Sequence, residues 1–387
     1  MTRTRNIVAL AGLIALTASA LAACGSAGKD ASGGTTSGGP STIAITLTDK
    51  GCEPDSTSAS AGPITFSVSN GGTTKVSEAE VVLGDRILGE KENITGDKTG
   101  TFSLSLDAGT YQLVCKGGDG AEKVDLVVSG GGTSPSPSAT GAAALAQAST
   151  QYASYVKSQT AELVTATKTF TDAVRAGNVT AAKAAYPLAR VYYERIEPVA
   201  ESFGDLDPDI DARIGDVESE ATWTGFHKIE KALWVDNTTA GMTPIADGLD
   251  TNVKKLDTLV QTLTYKPESI ANGATELLDE VGKSKITGEE ENYSHIDLVD
   301  FVGNVDGAEQ AFAVLEPALG QLNPTLATTI RSRFTALYAG LDAYRTGSTA
   351  IDYKNYAEVT ADQRKALATL VDALAEPLST VAGTVVR

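Results

Sequence analysis

A stretch rich in glycine, serine and proline divides the sequence into two parts with different hydrophobic periods. Residues 129–141 read SGGGTSPSPSATG, a composition typical of linkers that have no packed core. A similar Gly/Ser stretch fills residues 25–41. The lengths before and after the second stretch both lie within the usual range for a domain. We therefore expect two domains, at residues 42–128 and 142–387.

The first part has the pattern of short β-strands. Alternating or β-branched segments recur between Gly, Asn, Asp and Pro, at TIAITLT (42–48), ITFSVSN (64–70), AEVVLG (79–84), TFSLSLD (101–107), TYQLVC (110–115) and KVDLVVS (123–129). Strands of this length with turn residues between them are typical of a small β-sandwich.

The second part has the period of α-helices. Ala, Leu, Glu and Lys recur at helical spacing, and helix breakers fall near 178, 204–208, 236–244, 265–267, 282–292, 320–324 and 346–349. This pattern predicts an all-α bundle of about eight helices. Residues 196–214 and 315–330 each carry Glu-Pro followed by Asp-Pro or Asn-Pro, which indicates two similar four-helix halves.

The N-terminal segment has the features of a secretory signal. Arg3 and Arg5 precede an apolar run that ends in Leu21-Ala22-Ala23-Cys24, as in a bacterial lipobox. We expect removal of residues 1–23, a lipid on Cys24 and a flexible tether over residues 24–41 that holds a soluble body at the membrane. The alternative is an ordinary cleaved signal in which the cysteine has no role.

The remaining chain is strongly acidic. Without Arg3 and Arg5 it keeps 29 basic and 49 acidic residues. Binding of nucleic acid requires a basic face, so this charge argues against a nucleic-acid partner. It suits a protein that handles cations.

One of the two histidines of the chain begins the sequence HKIE at residues 227–230. His227 and Glu230 are three positions apart, so on a helix they lie on one face and can approach one ion. A nitrogen donor beside a carboxylate suits iron, manganese or zinc. Carboxylate-bridged iron sites in helical bundles use the same spacing. The alternative is a structural pair on an amphipathic helix.

Two ligands do not complete the coordination of a metal, so neighbouring helices must supply others. The preceding helix offers Glu194 and Glu197, again three positions apart, and the following helix offers Asp247 and Asp250. The HKIE sequence is not the HExxH motif of zinc peptidases, because its helix has no second histidine and no separate glutamate base is evident.

These features, in this order, resemble those of the EfeO-type iron-uptake lipoproteins. That family carries an N-terminal cupredoxin-like domain and a C-terminal imelysin-type domain. WTGFHKIEKALW (223–234) is similar to its HxxE motif, and YSHIDLVDFVGNVDGAEQAF (293–312) is similar to the motif of its second half. The cupredoxin part is matched by CEPDSTSASAGPITFSVSN (52–70), SEAEVV (77–82), EKENI (90–94) and AGTYQLVC (108–115).

The resemblance implies a cupredoxin-like β-sandwich followed by an imelysin-type helical bundle. It implies that the protein captures iron, as Fe²⁺ or Fe³⁺, outside the membrane and delivers it to an EfeU-type iron permease, alongside an EfeB-type haem peroxidase. Carried onto this chain, the HxxE ligands are His227 and Glu230, with Glu194 from the previous helix and Asp247 and Glu197 as further candidates. Zinc, manganese and copper stay open as alternative ions.

Two other functions compete with iron uptake. Imelysin-type domains have been grouped with metallopeptidases, but a metallopeptidase needs an activated water and a separate base, which the sequence does not identify. An extracytoplasmic solute-binding protein is the other alternative, although no aromatic platform stands out in a chain that is 6% aromatic.

The first domain offers candidate ligands for a second metal site. Residues 42–128 contain no His and no Met, which excludes a type-1 blue-copper centre. Cys52, Cys115, Glu78, Glu80 and Glu90 remain, and in the family the cysteines and a glutamate of this region are proposed metal ligands. Outside the cytoplasm the two cysteines can instead form a disulfide.

Overall fold

The structure is a computed structural model. It describes residues 41–84, 86–121, 123–131, 139–217 and 219–386. The expected signal segment, Cys24 and the tether over residues 24–41 lie outside the described residues, apart from Ser41.

The first part of the chain is β, as the alternating pattern predicts. Its strands are β1 (Ser41–Thr48), β2 (Gly51–Pro54), β3 (Ser58–Asn70), β4 (Ala79–Leu83), β5 (Arg86–Lys91), β6 (Thr99–Leu106), β7 (Gly109–Val114) and β8 (Lys123–Gly131). They follow the order β2-β1-β3-β8-β7-β4-β5, and β6 pairs with β3. All six predicted strands are present, whereas β2 and β5 were not predicted.

Strand β3 takes part in both halves of the β domain. Its C-terminal half pairs with β1 in parallel and with β6 in antiparallel orientation, and its N-terminal half pairs with β8. Phe66 on β3 stacks on Phe102 of β6 with ring centroids 4.9 Å apart. Alternate residues of these strands therefore point into one buried core.

The second part is helical. Its helices are α1 (Ala139–Arg175), α2 (Val179–Glu194), α3 (Leu206–Asp211), α4 (Gly225–Trp234), α5 (Thr243–Val260), α6 (Pro267–Lys283), α7 (Asp297–Leu322), α8 (Pro324–Asp342), α9 (Ala361–Leu378) and α10 (Val381–Val385). Eight of these ten have at least ten residues, which matches the predicted number. Among the described residues, no helix combines the length and hydrophobicity needed for a membrane span.

The long helices pack in two groups. Helix α1 packs on α2 and α5, while α6 packs on α7 and α9, and α8 packs on α7 and α9. Helix α7 also packs on α1 and α2. One continuous apolar core runs through the helical part, and the β part has a separate core.

The two parts meet along α6 through polar contacts. The ammonium of Lys91 on β5 lies 2.9 Å from a carboxylate oxygen of Glu276 and 2.6 Å from one of Asp279. The Asn272 side-chain amide donates to the carbonyl oxygen of Ser103 at 2.8 Å. Because the Lys91 side chain is only 7% exposed, its charge depends on these two helical carboxylates.

Replacement of Lys91 by methionine should destabilise the protein by about 3 kcal/mol, the scale expected when one partner of a buried ion pair is removed. The apolar stem is kept, but Glu276 and Asp279 lose their cation. Urea denaturation checks this, with Lys98→Met, at an exposed lysine of the same domain, as the matched control. Equal free energies of unfolding for the two variants would contradict a role of Lys91 in docking the domains.

Candidate metal centre

Helix α4 begins at a glycine because α3 passes too close for any other residue. Gly225 has φ +81°, and a Cβ atom there would lie 2.2 Å from the carbonyl oxygen of Ile210. The neighbouring Trp223 donates its indole N–H to the carbonyl oxygen of Ala212 at 2.6 Å. Both contacts tie the start of α4 to the end of α3.

The apolar face of α4 fixes the rotation of the helix. Phe226, Ile229 and Leu233 are fully buried in the core. His227 and Glu230 lie beside this face on the helix surface and are also turned inward, at 1% and 0% exposed. This confirms that the two residues of the HKIE sequence share a buried helix face.

His227 lies among three carboxylates. Its Nδ1 is 3.1 Å from Oε2 of Glu230. Its Nε2 is 3.5 Å from Oδ1 of Asp211 and 3.7 Å from Oε1 of Glu290, and it has no hydrogen-bond partner among the described residues. Burial and Arg190 lower the pKa of His227, but Glu230 and Glu290 outweigh them and raise it above its ordinary value.

The carboxylate of Glu230 is held on both of its oxygens. Oε1 accepts from the backbone N–H of Tyr293 at 2.9 Å and of Ser294 at 2.7 Å, and Oε2 faces His227. Next to it, Glu291 accepts from the Tyr186 hydroxyl at 3.0 Å. Two groups of ligand atoms lie close enough to share one ion: Asp211, His227 and Glu290, or His227, Glu230 and Glu291.

Glu194 and Glu197 join the same region from the end of α2. Helix α7 passes close to α2 at Gly303, where a Cβ atom would lie 2.6 Å from that of Glu194. The Lys285 ammonium is 3.2 Å from Glu194 and 2.6 Å from Glu197. The Asn304 amide also donates to both carboxylates.

The region contains more negative than positive groups. His227, Arg190 and Lys285 connect seven carboxylates into one network, namely Glu194, Glu197, Asp211, Glu230, Glu290, Glu291 and Asp300. Within the described part of the chain, three permanent cations contact it: Arg190, Lys285 and Arg213.

Burial is the main reason that the pKa values of some of these carboxyl groups are raised. The pKa values of Glu197, Glu291 and Asp300 are raised well above the ordinary range, first by burial and then by the carboxylates beside them. A further cation would favour the ionised form of each group. The network is therefore built to accept positive charge.

Comparison with known proteins gives the family. A family model described as imelysin matches residues 148–381, and one described as a cupredoxin-like domain matches residues 8–128.

The protein named iron uptake system component EfeO in Escherichia coli O157:H7 is 40% identical over 344 residues, which cover 88% of this chain and 90% of that protein. Those of Escherichia coli K12 and Shigella flexneri are 39% identical over the same length. The chain belongs to the EfeO family. This confirms the predicted pairing of a cupredoxin-like domain with an imelysin domain.

Asp247 does not join the network of this EfeO-family chain. Its side chain is 60% exposed on α5 and lies 2.8 Å from Nε of Arg175. Asp250, one turn further along, binds the same arginine. The face of α5 that carries these carboxylates is turned toward the end of α1, so the expectation that Asp247 ligates a metal with His227 is corrected.

Three carboxylates close to His227 were not predicted. Asp211 ends the short helix α3, and Glu290 and Glu291 follow α6 in a run of three glutamates. From the sequence alone, the run falls within a predicted break between helices at 282–292. The sequence feature that could have identified Glu290 and Glu291 is the acidity of the segment directly before the second-half motif at 293–312.

The structure brings together some of the candidate ligands of the second site, in the β domain. Glu80 and Glu90 face each other across β4 and β5, and the Lys116 ammonium lies 2.6 Å from Glu80 and 4.0 Å from Glu78. Cys52 and Cys115 form a disulfide. Of the two alternatives for the cysteines, the structure has the disulfide, so neither sulfur is a thiolate ligand.

A cavity of about 500 Å³ lies between the two domains. Carboxylates from both line it: Glu90 and Glu92 of the β domain, and Glu197, Glu201, Asp207, Asp211, Asp216, Glu276, Glu280, Glu289 and Glu290 of the helical domain. Burial and then Glu280 and Glu201 raise the pKa of Glu92 to about 8. The cavity is thus acidic along its length and reaches two carboxylates that face His227.

The raised pKa of Glu92 predicts a loss of stability with rising pH. The pKa of Glu92 is about 8 in the folded state, whereas its ordinary pKa is 4.5. The protonated carboxyl group therefore favours the folded state at low pH, and this part of the free energy of unfolding is lost as the pH rises toward 8. Glu92→Gln, which imitates the protonated form, should reduce the fall in melting temperature between pH 5 and 8 by roughly 2 °C or more. Glu162→Gln, at an exposed site on α1, is the control. An equal pH dependence in all three proteins would contradict the prediction.

Proposed function

We propose that this chain is an extracytoplasmic iron-binding component of an iron uptake system, which captures iron and delivers it to a membrane iron permease. Its relatives are named as iron uptake system components. The observation that carries the proposal is the buried excess of carboxylates around an imidazole nitrogen that has no hydrogen-bond partner among the described residues. Oxygen and imidazole donors suit both Fe²⁺ and Fe³⁺.

The proposed ligands are Nε2 of His227 and the carboxylates of Asp211 and Glu290. Glu230 then has a supporting role, since its two oxygens already accept from two backbone N–H groups and face Nδ1 of the imidazole. A carboxylate on the far nitrogen fixes the orientation of a ligating histidine and increases its basicity. Glu291 offers an additional oxygen beside Glu230.

The remaining predicted ligands, Glu194 and Glu197, belong to the outer part of this proposed site. Both are held by Lys285 and Asn304. They add negative charge behind the ligands, and this increases the attraction for a cation whichever oxygens bind it. Zinc and manganese would be held by the same donors.

Burial favours a carrier over a metallopeptidase. A peptidase must present its ion, a water and a base to a bound peptide. His227 and Glu230 are both almost fully buried, so an ion held by the imidazole is enclosed rather than presented at the protein surface. Family membership also favours a role in uptake rather than in catalysis.

The proposed partners come from the family resemblance. They are an EfeU-type iron permease and an EfeB-type haem peroxidase, at a membrane to which a lipid on Cys24 attaches the protein. The acidic cavity between the domains supports exchange of a cation, because carboxylates of both domains line it.

Replacement of His227 by alanine should weaken binding of iron at least ~10–100-fold, the loss that follows even when a residue supporting a metal ligand is removed. The metal-free protein should still fold cooperatively, since alanine favours the helix, with a melting temperature lowered by the loss of the buried partner of Glu230. Titration calorimetry with Fe²⁺ under anaerobic conditions, paired with thermal melts, measures both.

The matched control is His295→Asn, which removes the other histidine and suits its positive φ of 56°. Equal affinity of wild type and His227→Ala would mean that iron binds elsewhere. Lost affinity together with a collapsed melt would mean that His227 is structural.

The lipid attachment has a separate test. Cys24→Ala should release the protein from the membrane fraction or leave it with its signal uncleaved, because the lipid is then absent. Fractionation and the mass of the mature chain measure this. Unchanged membrane retention with normal cleavage would contradict the proposed anchor.

A further inference from the structure

One arginine lies in the middle of the carboxylate network. Arg190 on α2 is 0% exposed. Its guanidinium contacts Asp211 and Glu194, lies 3.1 Å from both Glu290 and Glu291 and lies 3.8 Å from Asp300. The ring of Phe226, next to His227 in the chain, lies 5.4 Å below it.

Two of the oxygens that Arg190 contacts are also the oxygens that face Nε2 of the imidazole. Oδ1 of Asp211 and Oε1 of Glu290 are the atoms that lie 3.5 Å and 3.7 Å from Nε2 of His227. The same two atoms accept hydrogen bonds from Arg190, through Nη1 and Nη2. An ion bound by Nε2 and these oxygens would therefore lie close to the guanidinium.

Two positive charges in this buried place repel each other strongly, because little water screens them. We propose that Arg190 is an internal competitor of the bound cation, which occupies the inward oxygens of Asp211 and Glu290 when no ion is present and gives them up when an ion binds. The inference rests on the proposed function and adds a mechanism of release. A tethered competitor lowers the affinity of the site and helps the ion to leave.

Lys285 provides the contrast within the same network. It contacts Glu194 and Glu197, and it approaches Glu290 through Oε2 at 3.6 Å, which is not the oxygen nearest to His227. Lys285 thus neutralises the network without holding the oxygens that face the imidazole. Removal of Lys285 changes the total charge, whereas removal of Arg190 also frees two ligand oxygens.

The experiment compares Arg190→Met with Lys285→Met by anaerobic titration calorimetry with Fe²⁺ and by thermal melts with and without Fe²⁺. Arg190→Met should bind at least ~10-fold more tightly than the wild type, since a like charge beside the ion lowers its affinity. Its melting temperature should rise more on addition of Fe²⁺ than that of the wild type. Lys285→Met should show a smaller gain in affinity.

The outcomes separate this inference from the proposed function. Iron binding by the wild type with no tighter binding by Arg190→Met, or with an equal gain in Lys285→Met, overturns the competitor and leaves the proposed function intact. Absence of binding by the wild type and by both variants overturns the proposed function.

A second variant covers the case in which Arg190→Met does not fold without metal. Arg190→Lys keeps the charge but cannot span two carboxylates as a planar guanidinium does. It should bind Fe²⁺ more tightly than the wild type, and unchanged or weaker binding overturns the inference.

Discussion

The enclosure of seven carboxylates in one network with His227, five of them buried and Glu197 and Asp211 at most 15% exposed, is the constraint on which the helical domain depends. A carboxylate removed from water is strongly destabilised unless it is paired, hydrogen-bonded or protonated. The chain uses all three means here. Arg190 and Lys285 pair with the acids, the backbone of Tyr293 and Ser294 donates to Glu230, and burial raises the pKa values of Glu291 and Asp300 and so favours their protonated forms. The close packing of α4 on α3 at Gly225 and of α7 on α2 at Gly303 holds these groups in contact.

The β domain extends this acidic region instead of standing apart from it. Strand β5 places Lys91 against α6, and the neighbouring Glu90 and Glu92 line the cavity that ends at Asp211 and Glu290. Such a cavity concentrates cations, because among its described lining residues carboxylates far outnumber the single cation, Arg213. The cupredoxin-like fold has a disulfide and no histidine or methionine between residues 42 and 128. In the proposed function its contribution is therefore acidic side chains and a fixed position, not a blue-copper centre.

Local periodicity was sufficient to predict most of the fold. Alternation identified six strands and missed two: β2, which has only four residues, and β5, where Gly89 and a register shift between Val81 and Val82 on its partner interrupt the pattern. The spacing of His227 and Glu230 predicted their shared face because both belong to one helix. Asp211 and Glu290 come from a helix end and a loop, so no local period could place them beside His227.

The helical spacing of residues was also insufficient to predict which side chains the acidic face of α5 contacts. Asp247 and Asp250 share one face of that helix, but the choice between His227 and Arg175 as their neighbour depends on how α5 packs on α1. Likewise, composition left the pairing of Cys52 and Cys115 open, since 63 residues separate them and only the fold brings their Cα atoms to 5.4 Å.

A carrier has to hold its ion and also release it, and the network offers physical means for both. In the proposed function, an arriving cation displaces protons from the carboxyl groups with raised pKa values and the guanidinium of Arg190 from its oxygens, so uptake is coupled to loss of other positive charge. In the reverse exchange the guanidinium returns to the oxygens of Asp211 and Glu290 when the ion leaves. An apolar pocket with a few isolated ligands would bind the ion, but it would have no positive group to replace the ion when it leaves. The surplus of acids and the buried arginine are therefore two parts of one arrangement, in which high negative charge provides capture and an internal cation limits the affinity.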